Sequence, residues 1–151
     1  MTRVDFYHLQ YSNIEQVLPK LLEKAYAPGK NILVKVGTEE RVDFLNTALW
    51  TYDDQSFLPH GSKKDGNSSM QPIWLTADND NPNRAKMLFL VDNATIELEQ
   101  IGHFDRVFNL FDGTDAENLE RNRLFWKQIK SSGNECFYWQ QNKTGQWQQK
   151  A

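Results

Sequence analysis

Between Val4 and Trp50 the sequence twice runs from a strand-type pattern into a helical one, and no other feature narrows the fold as far. Val4, Phe6 and His8 alternate with Asp5, Tyr7 and Leu9, which suits a first strand partly covered on both faces. Ser12 and Glu15 have the spacing of a capping box, and Ile14, Val17, Leu18, Leu21, Leu22 and Ala25 recur at helical intervals up to Pro28-Gly29. Pro19 falls inside that pattern and predicts a kink. Asn31 to Val36 reads as a short apolar strand; Gly37 follows, and Thr38 caps a second helix with Glu39 and Glu40 in its first turn. Val42, Leu45, Ala48 and Leu49 are its apolar positions, with Arg41 and Asp43 on the wet side. Strand, helix, strand, helix in that order implies a parallel βαβ start, and hence an α/β domain with a mainly parallel sheet.

The rest of the chain extends this scheme. From Asp53 to Met70 the pattern is irregular, and the polar run from Gly61 to Ser69 predicts a mobile surface loop. Ile73 to Thr76 and Met87 to Val91 are β-type runs that should add central strands, bracketing a turn or loop over Asp78 to Asn83. Phe104 to Phe111 is apolar but too short for periodicity to separate helix from strand. Thr114 and Glu117 have capping-box spacing and open a helix that should end before Gly133. Phe137-Tyr138-Trp139 and Gln146-Trp147 flank Asn142 to Gly145, which predicts a closing hairpin or edge strand.

A length of 151 residues fits one domain, given the usual range of roughly 100 to 200. Nine Phe and five Trp supply a core despite a mean hydropathy of -0.70, so the chain needs neither metal nor disulfide to fold. A net charge of -3 argues against a large direct DNA footprint, because dedicated nucleic-acid binders are usually strongly basic. The lone Cys136 and the charged, alternating N-terminal sequence point to a reducing cytoplasm and away from secretion or a membrane.

Catalytic motifs are not found. Phosphate cradling needs closely spaced glycines, whereas Gly29-Lys30 and Gly37 belong to neither a P-loop nor a dinucleotide fingerprint. His8, His60 and His103 lack the short spacings of metal ligands and read as structural histidines. Asp78 to Asn81 has a calcium-loop flavour, but Pro82 and Phe89 occupy ligand positions. Cys136 beside Glu135 reads as a buried structural thiol. No cofactor is expected. The competing reading is a nucleotide-dependent hydrolytic enzyme on the same scaffold, using carboxylates such as Asp92 near a strand end.

Two constellations point to binding. Arg123, Lys127 and Lys130 recur at i, i+4 and i+7 on the last helix, with Trp126 bordering the stripe. Cations beside an indole suit an acidic peptide with an apolar end; they also fit a core tryptophan next to a solvated basic face. Trp50 and Phe57, with Pro59 close by, either form an exposed anchor for a partner protein or plug the end of the sheet.

Phe6-Tyr7-His8-Leu9, Ala48-Leu49-Trp50, Ser56-Phe57-Leu58-Pro59-His60, and Arg123 with Trp126-Lys127 before Gly133 together resemble the chi subunit family of bacterial DNA polymerase III. Tyr138 to Gln141 and Gly145-Gln146-Trp147 look like an alphaproteobacterial-type version. The resemblance implies a single three-layer α/β/α domain, nucleotide-binding-like but without phosphate-loop motifs. It implies a non-catalytic accessory subunit that pairs with the small psi subunit of the clamp-loader assembly and grips the acidic, Phe-terminated tail of single-stranded DNA-binding protein. By position, Arg123, Trp126, Lys127 and Lys130 match the tail site, and Trp50, Phe57 and Pro59 match the patch used toward psi or another partner. Leu124-Phe125 before Trp126 departs from the more polar residues of many relatives.

Overall fold

The computed structural model describes residues 2–27, 29–52 and 58–151. Phe57 and the start of the Ser56 to His60 motif lie outside the described residues. The elements in chain order are β1 (Arg3–Leu9), α1 (Ile14–Ala25), β2 (Ile32–Val36), α2 (Glu39–Thr51), β3 (His60–Gly61), β4 (Ile73–Thr76), β5 (Met87–Val91), α3 (Leu98–Ile101), β6 (Arg106–Asp112), α4 (Ala116–Ser131), β7 (Glu135–Gln141) and β8 (Trp147–Gln149). A single 3-10 turn, Ser68–Met70, leads into β4.

Eight strands form one sheet in the order β3-β4-β2-β5-β6-β1-β7-β8. All neighbours are parallel except β8, which folds back antiparallel on β7 as the expected hairpin. The α/β architecture read from the first four elements is therefore present. β1 and β2 are not adjacent, however: β5 and β6, which come later in the chain, lie between them.

Alternation along β1 divides the core in two. Tyr7 and Leu9 join Val17, Leu18, Leu21 and Leu22 of α1 and Val42, Leu45 and Leu49 of α2 on one face. Val4 and Phe6 join Ile101 of α3 and Ile129 of α4 on the other, with Phe125 and Trp126 packed against them. Helices thus cover both faces, and strands buried on both faces explain the near-continuous apolar runs of β4 and β5. Phe104 to Phe111, ambiguous in the sequence, proves to hold β6, which runs between β5 and β1 with Val107 to Phe111 buried.

Local details correct several expectations. The cap of α1 is Asn13 in place of Ser12: its side chain accepts from Gln16 N at 3.2 Å, and Gln16 Oε1 accepts from Asn13 N at 3.0 Å. Asparagine and glutamine fill the same reciprocal pattern one residue later. Helix α1 runs through Pro19 without interruption. Likewise α4 is capped by Asp115 and not Thr114, its carboxylate accepting from Glu117 N at 2.9 Å and Asn118 N at 3.4 Å. Thr38 caps α2 as expected.

Gly133 lies just past α4 at φ +86°, the left-handed exit that glycine favours. The polar loop after β3 is tied down more than its composition suggests. Ser62 is buried, and Asp65 accepts from both Ser62 N and Asn46 Nδ2 at 3.0 Å. Cys136 is half-buried only, and burial pushes its thiol above the usual range.

Candidate functional site

Helix α4 turns Asn118 and Ile129 inward and keeps Asn122, Phe125 and Trp126 at the boundary, a spacing of roughly one helical turn each time. Arg123, Lys127 and Lys130 fall just outside that seam, and all three are exposed. The stripe expected from spacing is thus brought together on solvent-facing helix. Arg123 has Glu120 as its ion-pair partner at only 3.8 Å, with both side chains largely in solvent. A contact of this kind contributes little and leaves the guanidinium available.

Trp126 packs on the core and also borders the basic stripe. Its inner edge meets Phe6 at 5.3 Å between ring centroids and Tyr138 at 5.8 Å, both edge-to-face, the arrangement that aromatic quadrupoles favour. Its outer face carries Lys130, whose Nζ lies 5.4 Å from the ring centroid. The indole is therefore anchored in the second core and half open beside the cations.

Two residues of this neighbourhood were not marked by sequence reasoning as site residues. Tyr138 on β7 and His8 on β1 are side by side, with the tyrosine oxygen 2.6 Å from His8 Nδ1. The other ring nitrogen of His8, Nε2, lies 3.4 Å from Gln10 Nε2, so both imidazole nitrogens have a polar neighbour. Burial holds the His8 pKa below its ordinary value; Gly113 opposes the shift, Arg123 adds to it, and Asp112 opposes it. Burial also raises Tyr138, and Arg123 partly offsets this. The Arg123 charge is thus felt at both rings. The signal in the sequence was the even-numbered face of β1, Val4-Phe6-His8, whose partner strand β7 could not be assigned from spacing.

The second constellation is only half visible. Trp50, 51% exposed at the end of α2, lies with its ring 4.4 Å from that of buried His60. Pro59 is half-buried next to it in the chain, and Phe57 is outside the described residues. Asp92, the carboxylate of the enzyme reading, follows β5 at φ +48° and accepts from Arg41 Nε at 2.8 Å. It borders a crevice of about 520 Å³ at the carboxyl ends of β1, β5 and β6. Among the described residues no group of three or more His, Cys, Asp or Glu side chains could hold a metal ion.

Comparison with known proteins settles the family. The model described as "DNA polymerase III chi subunit, HolC" matches residues 1–136. The chain belongs to the DNA polymerase III chi subunit family. The "Probable DNA polymerase III subunit chi" of Rickettsia prowazekii is 32% identical over 97% of this chain and 91% of its own length. The "DNA polymerase III subunit chi" of Pseudomonas aeruginosa is 28% identical over 73% of this chain and 77% of its own length. The chi family match includes all of α4 and stops inside β7, so Tyr138 and the hairpin after it lie beyond the matched span. No helix among the described residues is long and apolar enough to cross a membrane.

Proposed function

We propose that this chi-family chain is a non-catalytic accessory subunit of the cytoplasmic DNA polymerase III holoenzyme. In this reading it bridges the clamp-loader assembly to the acidic C-terminal tail of single-stranded DNA-binding protein. The observation that carries it is the exposed ridge of Arg123, Lys127 and Lys130 beside the half-open indole of Trp126. Carboxylates of the tail pair with the cations through charge-assisted hydrogen bonds, and its terminal phenylalanine packs against the indole. In this reading Trp50, Phe57 and Pro59 serve the psi subunit or another clamp-loader component.

A few solvated charge pairs and one aromatic contact make a modest affinity that salt weakens. Several identical tails on one single-stranded DNA-binding protein offset this, since tethering sets an effective concentration on the order of millimolar.

Titration calorimetry with an acidic, Phe-terminated peptide tests the reading: Arg123→Ala abolishes binding while the circular dichroism spectrum stays that of the parent. Unchanged binding in that variant removes it. The crevice beside Asp92 is the one feature favouring the nucleotide-enzyme reading, because open α/β sheets bind ligands at such a place. A thermal shift with ATP and divalent metal, and none with the peptide, would support that alternative.

A further inference from the structure

The opposite end of the sheet from α4's N-terminus carries a second charged surface. Strands β2, β5, β6 and β1 lie side by side, and Ile32, Met87, Arg106 and Arg3 are level in their registers. Each of these strands begins with or is closely preceded by a cation: Lys30 before β2, Lys86 before β5, Arg106 in β6 and Arg3 in β1. Neighbouring strands stand about 4.8 Å apart, so these charges form a row along the sheet edge. Lys24 in the last turn of α1 and Arg84 in the turn before β5 widen the row.

All of these but Arg3 line an open groove of about 910 Å³ in which, among the described residues, Asp105 is the only acidic residue against five cations. Lys24, Lys30, Arg84 and Lys86 are exposed, and no ion pair links them to a carboxylate of the described residues. Arg106 and Arg3 share buried Asp5, so their charge is partly spent. A positive surplus on a chain of net charge -3 means that the charge is segregated, with the acidic excess elsewhere.

The turn that presents Arg84 is also held in place. Arg84 has φ +50°, an unfavourable conformation for a residue with a side chain. Buried Asn83 donates to Ile32 O and Gln71 O, both at 3.0 Å, Asn31 donates to Asn83 O at 2.7 Å, and Asn81 Oδ1 accepts from Ala85 N at 2.9 Å. Arg84 is thus presented by a turn tied to β2 and to Gln71.

We propose that this groove binds the phosphate backbone of nucleic acid. A row of lysines and arginines spaced by strands, in which Lys24, Lys30, Arg84 and Lys86 have no ion pair to a carboxylate of the described residues, matches a repeating polyanion. Met70, 79% exposed on the groove, offers apolar surface to a sugar or base. Contacts of this type position without reading sequence, so binding is sequence-independent and salt-sensitive.

Fluorescence anisotropy of the full chain with a labelled oligothymidine and with a duplex of equal length, at low salt, tests it. Binding is expected, with log affinity falling against log salt at about 0.7 per phosphate neutralised on the single strand. The double variant Lys30→Glu/Lys86→Glu weakens oligonucleotide affinity at least about tenfold and flattens that slope. Lys30→Gln/Lys86→Gln gives a smaller loss in the same direction. Arg123→Ala leaves oligonucleotide binding intact, which separates this groove from the tail site. No anisotropy change at low salt, or parental affinity in both lysine variants, overturns the proposal. So does loss of the acidic peptide and not of the oligonucleotide in the groove variants.

Discussion

The hydroxyl of Tyr138 lies 2.6 Å from Nδ1 of His8, joining β7 to β1 directly beneath Trp126. The same tyrosine stacks on Phe6 at 6.5 Å, so one residue supports the indole and satisfies a buried imidazole nitrogen. Tyr138→Phe keeps the ring contacts and orphans Nδ1, which costs about 1–3 kcal/mol. Denaturant unfolding at neutral pH measures this. An unchanged midpoint would mean that the hydrogen bond contributes nothing.

The His8 environment also gives stability a pH dependence. Its folded pKa is below 6.5, chiefly because the ring is buried, whereas the unfolded ring titrates near its ordinary value. Between those two values the unfolded chain binds more protons, so stability rises with pH there. The contribution is fully present above 6.5 and is lost as pH falls toward the folded value. The melting temperature should therefore decline below that pH, and His8→Asn should flatten the decline.

Gly113 leaves no room for a side chain, since a Cβ there would overlap the His8 ring. Gly113→Ala forces the imidazole off its place against Phe111 and Tyr138 and should cost about 1–3 kcal/mol or more. Combining it with His8→Ala should recover part of the loss. Equal melting temperatures for Gly113→Ala and the parent would contradict the geometry.

Asp5 is completely buried on the face opposite Trp126, between Arg3 Nε and Arg106 Nη2 at 3.1 Å, with Trp139 Nε1 donating at 3.0 Å. Asp5→Ala would leave two guanidinium groups and the Trp139 N–H without their shared acceptor; because both guanidinium groups are more than a third exposed, the expected cost is about 1–3 kcal/mol. Chemical denaturation reads this directly.

In the proposed tail-binding reading, Trp126 has two separable contributions, core support and peptide recognition. Trp126→Phe preserves a ring against Phe6 and Tyr138 and should keep most peptide affinity, while Trp126→Ala should weaken it at least about tenfold. Calorimetry on both variants, with melting curves alongside, distinguishes lost contact from lost folding.

The sequence by itself determined what depends on neighbours along the chain. Helical spacing placed Arg123, Lys127 and Lys130 on one exposed face, Gly133 marked the exit of α4, and two strand-helix pairs required a parallel sheet. Caps were misplaced by one residue, because Asn13 and Asp115 satisfy the same free N–H groups as the residues before them. Tertiary structure alone decided which distant segments meet. It inserted β5 and β6 between β1 and β2, gave Phe104 to Phe111 its central strand, and set Tyr138 against His8. It also aligned Lys30, Lys86, Arg106 and Arg3 along one edge, although they are scattered through the sequence. Periodicity reports which side of an element is buried; strand order follows from packing apolar surface across the whole sheet, and no local pattern encodes that.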